Sequence, residues 1–91
     1  NYKLTAATDL YSLGVTLIYV LAQTNPIRDL GDARGRIKFQ HLMPKDLSLH
    51  FINWLDTMVQ PNRHERYPDA ATALKALQKI DLKRLPEVRG I

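Results

Sequence analysis

Residues 8–27, "TDLYSLGVTLIYVLAQTNPI", decide how this chain folds. They open with a single formal charge, Asp9, followed by 18 residues with none, in a chain that is 24% charged. Leu10, Leu13, Leu17 and Leu21 recur at steps of three and four, which stacks them on one face of a helix over 8–23. Val15, Ile18 and Val20 fill other faces, so the helix is apolar nearly all round. Such a helix is enclosed either by protein or by lipid. A membrane span needs about 20 predominantly apolar residues. Ser12, Thr16, Gln23, Thr24, Asn25 and Pro26 interrupt this run and exclude one. What remains is a core helix, or the central helix of something larger than this chain. Thr5 or Thr8 is placed to cap it, and Asp9 sits where the helix dipole favours negative charge. Pro26 prevents the helix from continuing.

Downstream, residues 28–47 are irregular, and a short helix or loop is expected there. Gly31 and Gly35 bracket a basic stretch containing Arg34, Arg36 and Lys38. They do not make a phosphate loop, which needs more glycines and a following Lys-Ser or Lys-Thr. A second helix is expected over 49–59, with Ser48 as its cap and Phe51, Ile52, Leu55, Met58 and Val59 along one stripe. Trp54 lies beside that stripe and packs with it. A third helix is expected over 70–80, capped by Asp69, with Ala70, Ala73, Leu74, Leu77 and Ile80 on its buried face. Residues 81–91, "DLKRLPEVRGI", read as an exit linker. No strand pattern of period two stands out. The fold class is all-α, with one helical unit over residues 1–80.

A length of 91 residues at 45% hydrophobic content suits one small domain. Without cysteine there is neither a disulfide framework nor a thiolate metal site, which fits a reducing compartment and a cytoplasmic location. Lys3 is followed by small and polar residues rather than the apolar core of a signal peptide. Because the chain starts at Asn1 just ahead of a helix, it reads as a piece of a longer protein. Thirteen basic residues against nine acidic ones give a net charge of +4, but the acids interrupt the bases throughout. That pattern describes a solvated, mildly basic surface. A nucleic-acid footprint would line one helix face with cations, and the third helix offers only Lys75 and Lys79.

Chemistry is sparse. His41, His50 and His64 are too widely spaced for a local metal pair, each reading as a lone surface histidine. Ser12 falls within the apolar helix, and Ser48 serves better as a cap than as a nucleophile. There is no G-x-S-x-G and no pair of acids with a reason to be close. On the residues alone this is a helical globular piece without an active site.

"DLYSLG", Asp9 to Gly14, resembles the start of the central helix in the large lobe of eukaryotic-like Ser/Thr protein kinases, particularly bacterial (Hanks-type) members. The family follows that helix with a short turn containing Pro, as in "QTNPI". Later it has an apolar helix, then Pro, a few polar residues and an Arg, as in "LHFINWLDTMVQPNRHER", where Arg66 is that arginine. A closing helix of the form Ser/Asp-Ala-x-x-Ala-Leu is matched by Asp69, Ala70, Ala73 and Leu74. The resemblance covers residues 1 to about 79.

It implies roles for particular residues. Asp9 would accept hydrogen bonds from backbone amides of the catalytic loop, and Arg66 would pair with the Glu of an A-P-E motif ahead of Asn1. Gly14 and Trp54 would be structural. With those partners missing, Asp9 and Arg66 are expected to stand as orphans here. The basic segment holding Arg34, Arg36 and Lys38 would fall near the substrate-binding face and favour acidic partners. ATP and Mg²⁺ would be cofactors of the parent, whose partners would be the rest of the kinase domain and its protein substrates. The Gly-rich loop, the strand Lys, the catalytic-loop Asp and the D-F-G Asp are not in these residues. The piece itself is therefore expected to be inactive and to self-associate through uncovered apolar surface. A pseudokinase remnant and a helical protein-interaction module are the alternatives.

Overall fold

The computed structural model describes residues 6–80. Four α-helices follow one another: α1 (Ala6–Ala22), α2 (Pro26–Leu30), α3 (Leu49–Met58) and α4 (Ala70–Gln78). Single 3₁₀ turns lie at Gln40–Leu42 and Arg63–Glu65. Among the described residues there is no named strand, only an isolated antiparallel bridge between Gly31 and Ile37. The expected all-α class holds at that level. The exit linker proposed for 81–91 and the cap proposed at Thr5 lie outside the described residues.

Helix α1 packs chiefly against α3, and Gly14 lies in that contact. A Cβ there would lie 2.7 Å from Val59 Cγ1 and 2.9 Å from Met58 Cβ. Gly in a helix interior costs about 1 kcal/mol relative to Ala. At this position the absent side chain lets two backbones approach. The crossing also orients α1. Its buried centre is Leu10, Gly14 and Ile18, with Tyr11, Val15, Leu17 and Leu21 partly covered around them. Leu13, expected on the buried leucine face, is 48% exposed. The leucine stripe therefore holds at Leu10, Leu17 and Leu21 and fails at Leu13, because the core side of α1 is centred on Leu10, Gly14 and Ile18.

The helix boundaries have local causes. Thr8, proposed as a cap, lies inside α1. Gln23, in the left-handed region at φ 57°, ends the helix before Pro26 is reached, and its N–H donates to Tyr19 O at 2.8 Å. Pro26 instead opens α2, where a missing N–H is harmless. Asn25 caps that turn, its Oδ1 accepting from the N–H groups of Ile27 and Arg28, both at 3.1 Å. Ser48 caps α3 by accepting from His50 N at 3.1 Å, and Asp69 caps α4 by accepting from Thr72 N at 2.7 Å. Each satisfies a helix-terminal donor that would otherwise be orphaned.

The connecting segment contributes more than a link. Ile37, Phe39 and Met43 are buried in the core beside Ile18, Ile52, Leu55, Met58 and Val59. Between α2 and Ile37 the chain makes a tight loop around Asp32, whose Oδ1 accepts from Arg34 N at 2.8 Å and Arg36 N at 3.0 Å. Gly35, at φ 82°, supplies the left-handed residue this loop needs. Helix α4 docks on α3 through Trp54, whose Nε1–H donates to Ala73 O at 2.9 Å. The indole stacks on Phe51 at 5.7 Å between ring centres and tilts against Tyr67 at 6.5 Å. Only Ala73 of α4 is fully buried, with Ala76, Leu77 and Ile80 partly so. Ala70 and Leu74, expected on the buried face, are exposed, because α4 meets α3 along a single narrow edge.

Candidate functional site

Two regions hold the residues that the sequence singles out. In the first, Arg66 leaves the Arg63–Glu65 turn and reaches back over α1. Its guanidinium carbon lies 4.5 Å from the centre of the Tyr11 ring. Its Nε donates to Gln60 O at 2.7 Å and a terminal nitrogen donates to Pro61 O at 3.2 Å. The arginine therefore ties the end of α3 to the first half of α1, and it is no orphan. Partial burial strips water from the guanidinium and lowers its pKa, with Tyr11 acting in the opposite direction and Arg63 adding to the lowering. Tyr11 belongs to the "DLYSLG" stretch, so two segments far apart in sequence meet at this contact. Asp9 stands close by in sequence, exposed in the first turn of α1, where the helix dipole suits a carboxylate. Ser12, expected inside a buried helix, is exposed as well, because α1 covers only one of its sides.

That open side runs through Asp9, Ser12, Leu13, Thr16, Tyr19 and Val20, all exposed. Val20 is 63% exposed and Tyr19 53%. The face carries one charge at its end and large apolar groups along its length. Thr16 keeps its hydroxyl occupied by donating to Ser12 O at 3.0 Å.

The second region is the basic loop. Arg34, Arg36 and Lys38 do not act as one cationic patch. Arg36 donates to both Asp56 carboxylate oxygens, at 3.0 and 3.3 Å, and to Gln60 Oε1 at 3.2 Å. Gln40 and Gln60 donate to the same carboxylate at 3.2 and 2.9 Å. This network clamps the loop to α3, so Arg36 is spent on the fold. Lys38 lies 3.9 Å from Asp32, and Arg34 is exposed. The sequence gives no warning of the clamp, since Asp56 and Gln60 sit on a helix whose apolar stripe dominates the pattern.

Beyond these regions, α3 and α4 enclose an open cleft of about 540 Å³. Among the described residues no three His, Asp or Glu side chains come together as a metal site, and no helix is long and apolar enough to cross a membrane. No protein-family model matches the chain, and neither does any curated protein or solved structure.

Proposed function

We propose that this chain is the closing part of the large lobe of a bacterial-type Ser/Thr protein kinase, with α1 as the lobe's central helix. The observation that carries the reading is the contact of Arg66 with Tyr11. Two stretches resembling separate kinase motifs, far apart in sequence, are packed together, and Gly14 of the first has a packing reason to be glycine. The exposed outer side of α1 fits a helix that other parts of a larger lobe enclose. In this reading the chain contributes scaffold and not catalysis. Asp9 supports a catalytic loop supplied from elsewhere in the parent, which binds ATP and Mg²⁺ and transfers the γ-phosphoryl group to protein Ser or Thr.

The test is phosphoryl transfer by the protein extended through its natural reading frame, assayed with ATP, Mg²⁺ and a generic Ser/Thr substrate. Transfer that falls sharply in Asp9→Asn, with the 91-residue chain inert, supports the proposal. An extended protein that carries the kinase motifs but transfers nothing makes the parent a pseudokinase. An extended protein without those motifs leaves the second reading, a helical interaction module, which the same open side of α1 favours.

A further inference from the structure

The cleft between α3 and α4 has a composition that points to a ligand, and it does so independently of any kinase reading. Its volume, about 540 Å³, lies within the range of about 300–1,000 Å³ typical of small-molecule sites. Tyr67 and Ile80, both half-buried, supply most of its apolar wall, and the buried Trp54 reaches it by an edge. The indole N–H of Trp54 is already committed to Ala73 O, so the small part of that ring that reaches the cleft is apolar. The rim is different. Ser48 Oγ accepts from His50 N as a helix cap, which leaves the hydroxyl proton to be donated. Asn53 brings an amide donor and Lys79 a cation. No carboxylate is among the residues that line the cleft. A rim of donors that includes Lys79 and His50, set above an apolar wall, matches a flat apolar body bearing one anionic acceptor.

We propose that this cleft binds a small aromatic carboxylate, its ring against Tyr67, Ile80 and the exposed edge of Trp54 and its carboxylate toward Lys79 and Ser48. The two parts of the ligand are recognised by different physics. The wall removes apolar surface from water and accounts for most of the affinity. The rim selects charge, and being open to solvent it contributes a modest factor.

Trp54 is the chain's single tryptophan, so its indole N–H signal in a ¹H–¹⁵N correlation spectrum reports directly on the cleft. The 91-residue chain is titrated with 2-naphthoate and, separately, with neutral 2-naphthamide. The expected result is a saturable shift of the indole signal with naphthoate, at a Kd of about 1 mM, ordinary for a probe so small. The amide binds about threefold more weakly, and Lys79→Gln weakens naphthoate by the same factor while leaving the amide unchanged. Lys79 is exposed at the end of α4, so this variant keeps the fold. An unmoved indole signal at about tenfold above that concentration overturns the site. Equal affinity for acid and amide overturns the charge selection. Shifts centred on Leu13 and Val20 show that the apolar side of α1 takes the probe instead, and also overturn the proposal.

Discussion

The guanidinium carbon of Arg66 lies 4.5 Å from the centre of the Tyr11 ring while its nitrogens donate to two backbone carbonyls just past the end of α3, those of Gln60 and Pro61. One side chain thus fixes the position of α1 relative to the turn after α3. A cation over an aromatic face contributes about 0.5–2 kcal/mol, more as water is excluded. Tyr11→Leu is expected to lower unfolding free energy by about 1 kcal/mol or slightly more in urea melts. Arg66→Lys is expected to lose more, because a single ammonium does not reproduce the guanidinium's fixed set of donors to two carbonyls beside a ring.

Gly14→Ala sets helix propensity against packing. Propensity alone favours alanine by about 1 kcal/mol. The new methyl would meet Met58 Cβ at 2.9 Å, an atom fixed to the α3 backbone, so the helices must separate. Overpacking of this kind costs about 1–3 kcal/mol. Net destabilisation is expected, and a lower midpoint in thermal unfolding checks it. A higher midpoint would mean that α1 and α3 can part without loss.

Trp54→Ala removes both the aromatic stack and the only indole bond to Ala73 O. A loss of about 3–5 kcal/mol is expected, a large part of the stability of so small a domain. Local loss is expected first in α4, which amide hydrogen exchange resolves as early opening of Ala70–Gln78.

Asp56→Asn breaks the clamp on the basic loop. The pair with Arg36 is partly solvated, with side chains 42% and 20% exposed, so a cost of about 1 kcal/mol is expected. Part of that cost should vanish at high salt. The freed guanidinium would then add to the exposed positive charge around Arg34.

The acid limb of stability has an assigned sign. Asp69 has a lowered pKa because its carboxylate accepts the Thr72 N–H, and Asp32 because it accepts the N–H groups of Arg36 and Arg34. Asp29 is lowered chiefly by its hydrogen bond from Arg28. A folded pKa below the unfolded one, about 3.9 for Asp, gives stability that is complete above the unfolded value. It is lost as pH falls through the folded value. Stability should therefore decline as pH is lowered below about 4, and Asp69→Ala should flatten that decline. A limb unchanged by the substitution would contradict the capping role.

Helices α3 and α4 and their caps were legible in the sequence because Ser48 and Asp69 stand directly ahead of apolar periodicity. The orientation of α1 was not. Its leucines suggest one buried face, but the deciding residue is Gly14, which is invisible to hydrophobic pattern. Nor did the pattern reveal that Ile37, Phe39 and Met43 enter the core, since Arg36 and Lys38 alternate with them and make the segment read as surface. The contacts of Arg66, with Tyr11 and two carbonyls, follow from how the turn after Pro61 folds back, which no local pattern encodes. On α4, three-to-four spacing overstated the buried face because one edge, at Ala73, makes the docking.

The open side of α1 leads to an expectation for the chain in solution. Leu13, Tyr19 and Val20 are exposed with no charge among them, and surfaces of this kind associate. Concentration-dependent self-association is expected in sedimentation velocity, and Leu13→Lys with Val20→Lys should abolish it. A chain that stays monomeric throughout would show that this side needs no cover.

The most direct measurement is the sequence of the reading frame ahead of Asn1. An A-P-E shortly upstream, with D-F-G and H-R-D further back, is the expected result, and it would supply the Glu for Arg66 and the catalytic loop for Asp9. A start codon immediately ahead of Asn1, or an unrelated domain there, would contradict the kinase reading and leave a helical interaction module.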